Sequence, residues 1–159
     1  MKKCYLSISL MIMMLFLGCF IQSATTQAKV KTFITKGNYI GTYGYKGHKP
    51  SLEGGGYTIT INKISKNGKI RFQIHRAGRN ASPLYDTKVI YAKIKGNKVK
   101  FRWEDSWSNH GTGIIIFKKG TKLKLTMKET RTAERNRSSL QIDNATFKYI
   151  SKDRKVVDW

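Results

Sequence analysis

Acidic residues are scarce in this chain: nine Asp and Glu stand against 31 Lys and Arg in 159 residues, a formal net charge of +22. Cysteine is scarcer still, with only Cys4 and Cys19, both inside the first 28 residues. Nothing beyond them can be crosslinked, so whatever follows must fold on its own core, which about 130 residues can do. The three histidines (His48, His75, His110) show no His-x-x-x-His or comparable spacing, which excludes an ordinary metal site and leaves no cofactor to expect. Gly-x-x-x-x-Gly-Lys-Ser/Thr is missing, so the glycines from Gly41 to Gly56 make a loop and not a phosphate cradle. Zinc-finger spacing, an RNP-like aromatic signature and a helix-turn-helix pattern are also missing, which removes base-specific nucleic-acid readers. Helical periodicity is thin from residue 29 onward, and no linker divides the chain.

What is present begins with Met1-Lys2-Lys3, a run from Tyr5 to Ile21 without a charged residue, and Gln22-Ser23-Ala24-Thr25-Thr26-Gln27-Ala28. A positive end, an apolar stretch and a small-residue region form the layout of a secretory signal. Thr26 and Ala28 satisfy the small-x-small pattern, which places the cut after Ala28 and starts the exported chain at Lys29. An uncleaved membrane anchor is the alternative, at the lower limit of spanning length. Phe16-Leu17-Gly18-Cys19 partly resembles a lipoprotein box, but Phe16 and Leu17 fit it poorly and Phe20-Ile21 continue the apolar run, so Cys19 reads as part of the discarded segment. Residues 29–159 are then a single cationic domain. Loss of Lys2 and Lys3 leaves 29 basic against nine acidic side chains, a net charge of +20. Export without disulfides suits a Gram-positive cell. On that route the Asn-x-Ser/Thr matches at Asn80, Asn136 and Asn144 carry no meaning.

Within the domain, apolar and polar residues alternate at period two between closely spaced turn signals. Tyr39 to Tyr43 is a first strand candidate. Three hairpins follow. Tyr57, Ile59 and Ile61 lead to Ser65-Lys66-Asn67-Gly68 and on to Ile70, Phe72 and Ile74. Val89 to Ile94 leads to Lys95-Gly96-Asn97-Lys98 and on to Val99, Phe101 and Trp103. Ile114 to Phe117 leads to Lys118-Lys119-Gly120-Thr121 and on to Leu123, Leu125 and Met127. Asn67-Gly68 suggests a primed two-residue turn. A last strand covers Thr146 to Ile150, and residues 131–139 fit either a loop or a short helical turn. The expectation is an all-β fold of about eight antiparallel strands in a meander, forming a small closed or nearly closed β-barrel, with a β-sandwich as the alternative.

The alternation also sorts the charges. Lys93, Lys95, Lys98, Lys100 and Arg102 fall between Ala92, Ile94, Val99, Phe101 and Trp103, and so point away from the core, as do Lys122, Lys124 and Lys128. Exposed lysine protects strand edges from aggregation, but an excess of this size goes far beyond the net charge of about 2–8 that keeps a small domain soluble. It points to a polyanionic partner. Outside a Gram-positive cell that means an anionic cell-wall polymer, an anionic membrane surface or nucleic acid bound without sequence preference. Lysine outnumbers arginine, which favours diffuse contacts over bidentate ones.

The densest group of reactive side chains is Trp103-Glu104-Asp105-Ser106-Trp107-Ser108-Asn109-His110-Gly111. Glu104 and His110 are its acid–base candidates, and Trp107 could stack on a ring. The competing reading is a polar turn with Trp103 in the core and Trp107 as a lid. His75 alternates outward from Ile74 and should face solvent.

Gly37-Asn38-Tyr39 resembles the Gly-x-aromatic opening of calycin-type barrels. The stretch Val99 to Met127, with Phe101-Arg102-Trp103-Glu104-Asp105-Ser106-Trp107 and Gly111-Thr112-Gly113-Ile114, is similar to small uncharacterised secreted proteins and lipoproteins of bacilli and their relatives. That resemblance covers less than a third of the exported chain and implies a secreted β-protein, with no activity attached.

The reading is a secreted, monomeric, non-catalytic protein held electrostatically to anionic wall polymer or another polyanion, with Lys93, Lys95, Lys98, Lys100, Arg102 and Trp107 as binding residues. Wall or membrane association is the alternative to free secretion. A small basic ribonuclease-like enzyme, which would need His110 or His75 to meet a carboxylate and a lysine, and an extracellular inhibitor or immunity protein are the alternative functions.

Overall fold

A computed structural model describes residue 34 and residues 39–49, 51, 55–78, 84–133 and 140–156. The signal segment, its cleavage site, both cysteines, Asn80, Asn136 and most of the segment 131–139 lie outside the described residues. The alternating segments form nine strands: β1 (Gly41–Tyr45), β2 (Gly56–Ile64), β3 (Lys69–Ala77), β4 (Leu84–Asp86), β5 (Ile90–Lys95), β6 (Lys98–Glu104), β7 (His110–Lys118), β8 (Lys122–Arg131) and β9 (Ile142–Ser151). Every pairing is antiparallel.

β2 pairs with both β1 and β3, and β9 pairs with both β8 and β1, so eight strands close into a barrel in the order β1, β2, β3, β5, β6, β7, β8, β9. Closure leaves no free edge in the ring. The short β4 is additional: β3 carries β5 along Lys69–Phe72 and β4 along His75–Ala77. The turns at 65–68, 96–97 and 119–121 lie at one end of the barrel, here the turn end. The segments 46–49 and 105–109 lie at the other, the loop end.

The first turn differs from the expected primed type. Gly68 has a positive φ of 80°, whereas Asn67 does not, and the Gly68 amide donates to the Ser65 carbonyl at 2.9 Å. One left-handed residue after a tight bend is a glycine bulge, which needs the glycine alone.

Inward residues alternate as the sequence predicts. Ile59, Ile61, Phe72, Ile74, Val99, Ile115, Phe117, Leu123, Leu125 and Phe147 are all essentially buried. At the turn end, buried Tyr39 stoppers the barrel: its ring meets Phe117 edge-on at 5.0 Å and its hydroxyl donates to the Lys118 carbonyl at 2.5 Å. Small residues on β7 make room for aromatics on β6, because Phe101 lies opposite Gly113 and Trp103 opposite Gly111.

Tyr43 is fully buried, edge-on to Tyr149 at 5.6 Å, and its hydroxyl has no hydrogen-bond partner among the described residues. Burial pushes its phenol pKa well above the ordinary value, with Tyr39 and Tyr149 adding to the effect. The folded state therefore holds this proton more tightly than the unfolded chain. The resulting stability is intact below the unfolded value of about 10 and falls as pH rises above it toward the folded one. Tyr43→Phe removes a buried unpaired hydroxyl, so it is expected to stabilise the fold by about 1 kcal/mol or more and to flatten the alkaline loss. Thermal melts at pH 7 and pH 11 check both; a variant less stable at pH 7 would overturn the assignment.

Candidate polyanion-binding surface

The register of the ladders decides which outward cations meet. Lys95 lies directly opposite Lys98, and Lys69 opposite Lys93. On the next strands Lys118, Lys122 and Lys148 form one row across β7, β8 and β9. All of these side chains are exposed; Lys69, Lys93, Lys95, Lys98, Lys118 and Lys122 belong to the turn end, whereas the barrel's stagger carries Lys148 beside Gly47 of the segment 46–49. Side chains on directly opposed residues are about 5 Å apart at Cβ, a placement that destabilises the sheet when the charges match. The ion pairs Lys88–Glu104 at 2.9 Å and His75–Asp86 at 2.6 Å both lie toward the loop end. Among the described residues none of these lysines forms an ion pair.

The predicted binding residues fall into three places. Lys93, Lys95 and Lys98 belong to the turn-end rows. Lys100 and Arg102 stand farther along β6, where Arg102, Thr112 and Lys128 form a single row across β6, β7 and β8, followed by Lys100, Ile114 and Thr126. These two rows, with Tyr91, line a groove of about 790 Å³ on the outer face. Trp107 joins neither group. It sits in the loop 105–109, its ring 6.1 Å from that of Tyr85.

That loop is organised around a buried carboxylate. Asp105 is fully buried; its Oδ1 accepts from the amides of Trp107 and Asn109, both at 2.9 Å, and its Oδ2 accepts from Asn109 Nδ2 at 3.0 Å. Asn109 Oδ1 then accepts from the Ala133 amide at 3.0 Å. Glu104 and His110 are brought together as direct cross-strand partners. The Glu104 carboxylate, however, is engaged by Lys88. The geometry here is that of a polar turn with Trp103 in the core.

His75 is only about one-third exposed, where the alternation predicts a solvent-facing ring, because Nδ1 meets Asp86 Oδ1 at 2.6 Å. Asp86 is on β4, a strand of three residues too short to show a period. His75 and His110 are separated by three strand steps, about 14 Å at the usual spacing, so the two imidazoles do not share one reacting group. No group of three or more His, Cys, Asp or Glu among the described residues could hold a metal ion.

Of the groove residues, Lys128 is placed outward by the alternation, whereas Tyr91 is not among the binding residues the sequence suggests. Tyr91 carries a signal: an exposed aromatic at an outward position of a lysine-rich strand. Comparison of the chain with protein-family profiles, curated proteins and solved structures finds no match.

Proposed function

We propose that this chain is a secreted, non-catalytic protein that associates electrostatically with anionic cell-wall polymer or another polyanion through the outer face of its barrel. The observation that carries the reading is the set of lysines placed opposite lysines, Lys69–Lys93, Lys95–Lys98 and Lys118–Lys122–Lys148, with no acidic partner among the described residues. A row of like charges is a standing electrostatic cost that a bound polyanion converts into attraction, and the release of condensed counterions adds to it. The lysines are mobile point charges, so the association selects for charge density and not for a base or sugar sequence.

The test uses Lys93→Gln, Lys95→Gln and Lys98→Gln together, all exposed and all off the core. The triple variant is expected to melt at or slightly above the parent, because two like-charge oppositions are removed, to bind isolated anionic wall polymer about tenfold more weakly, and to show a shallower dependence on salt. Equal binding by parent and variant would make the face a solvated surface, and no binding by the parent at 0.15 M salt, where screening acts over about 8 Å, would remove the reading altogether. The same preparation should leave RNA intact. RNA cleavage that is lost in His75→Ala would turn the reading to a basic nuclease built on the His75–Asp86 pair.

A further inference from the structure

The groove on the outer face differs from the lysine rows in one respect: it has a fixed aromatic at its edge. Tyr91 is 73 % exposed, the most open of the large apolar side chains described. It is nevertheless held. Arg71 lies opposite it on β3, donates from Nε to its hydroxyl at 3.1 Å, and places its guanidinium 5.8 Å from the ring centroid. Arg71 is itself anchored by donating from Nη1 to Asn62 Oδ1 at 2.9 Å. Asn62 is the residue bulged out of the β2–β3 register between Ile61 and Lys63. A bulge, an arginine and a hydrogen bond thus pre-position a ring that contributes nothing to the core.

Beside it, the floor of the groove is made by the outward side chains Thr112 and Ile114 of β7. Arg102 and Lys128 rise on either side of Thr112, two strand spacings or about 10 Å apart, with Lys100 two residues along from Arg102. None of the three cations forms an ion pair among the described residues. That width accepts one extended backbone between the two walls.

We propose that this groove is a seat for single-stranded nucleic acid, with backbone phosphates between Lys100, Arg102 and Lys128 and one base stacked on Tyr91. Cationic grooves with a stacking aromatic bind single strands without reading sequence, since every base has a π-face. A polyol phosphate polymer satisfies the cations equally but has no ring for Tyr91. The inference rests on the polyanion reading of the outer face and adds a partner to it through a separate set of residues.

The experiment compares three labelled probes of matched charge by fluorescence anisotropy: a thymidine oligonucleotide, an abasic deoxyribose-phosphate strand of the same length, and poly(glycerol phosphate). The parent should bind the oligonucleotide more tightly than either of the others. Tyr91→Ser should weaken oligonucleotide binding by about fivefold to a hundredfold, the range for loss of one base stack, and leave the abasic strand unchanged. Tyr91→Phe, which keeps the ring, should stay near the parent. The pair Arg102→Gln and Lys128→Gln should weaken all three probes, whereas the triple variant at Lys93, Lys95 and Lys98 should keep the preference for bases. Equal binding of the three probes by the parent, or an unaltered Tyr91→Ser variant, overturns the groove assignment and leaves the electrostatic reading standing. No binding to any probe at 0.15 M salt overturns both.

Discussion

Asp105→Ala is expected to destabilise the protein by about 3–5 kcal/mol, the scale of three stranded donors at about 1–3 kcal/mol each with part of the cost relieved by water. The carboxylate is fully buried and receives three donors within 3.0 Å, two from backbone amides and one from Asn109 Nδ2. Alanine leaves all three without an acceptor in a space that admits no solvent from one side, and each stranded donor costs about 1–3 kcal/mol unless the loop opens to water. Opening is the route the chain should take. Ser108, held at a positive φ of 60°, relaxes; Asn109 loses the orientation that lets its Oδ1 accept from Ala133; and Trp107 swings off Tyr85. A melting temperature well below that of the parent, with a red shift in tryptophan emission before global unfolding, would show this order of events. Asp105→Asn keeps one oxygen for the two amides and faces Asn109 Nδ2 with its own amide, so its loss should be smaller, about 1–2 kcal/mol. Parent-like stability in Asp105→Ala would mean that the carboxylate is not committed to the fold, and would make the segment from Trp103 to Gly111 a possible reaction site again.

What is legible in the sequence and what is not divide along physical lines. Strands whose inward residues recur at period two, such as Val99, Phe101 and Trp103 on β6, announce both their existence and their facing. The closure of β1 onto β9 leaves no local mark, because it joins residues more than 100 positions apart. β4 has too few residues to show a period, and its silence hides the partner of His75. Bulges are equally silent: the extra residue at Asn62 in β2 and the shift between Leu125 and Met127 in β8 alter register without altering composition. The candidate surface divides in the same way. That Lys93, Lys95, Lys98, Lys100 and Arg102 face outward is a property of alternation within one strand. That Lys69 meets Lys93, that Lys118, Lys122 and Lys148 share a row, and that Lys128 meets Arg102 across Thr112 are properties of register between strands. Nearness in sequence groups Trp107 with the lysines, yet a turn carries it to the loop end beside Tyr85.

Gly111→Ala is expected to be more damaging than Gly113→Ala, and the comparison tests how β6 and β7 are fitted together. Both glycines lie under aromatic side chains of β6, but the space around them differs. A Cβ at Gly113 would lie 2.3 Å from a ring carbon of Phe101, and its nearest neighbours all belong to that ring. The ring can tilt, though toward Phe72, with which it already packs edge-on at 5.1 Å. Overpacking of this sort costs about 1–3 kcal/mol, partly offset by the roughly 0.5–1 kcal/mol that alanine gains over glycine within a strand. A Cβ at Gly111 would lie 2.4 Å from Trp103 and also 2.2 Å from the backbone carbonyl oxygen of Lys128. A carbonyl in the β7–β8 ladder cannot tilt away without breaking its pairing, next to the point where the register already shifts between His110 and Gly111. The loss should therefore exceed the Gly113 figure and reach about 3 kcal/mol or more, with a fall in melting temperature of several degrees for each kcal/mol. A second substitution separates the two causes. Phe101→Leu vacates the space that the added methyl group needs and should restore much of the stability lost in Gly113→Ala. Trp103→Leu relieves only half of the conflict at position 111, because the Lys128 carbonyl stays where it is, so the double variant should remain well below the Trp103→Leu single variant. Full recovery in that double variant would show that the backbone contact is slack and that β7 and β8 are not held as closely as their register implies.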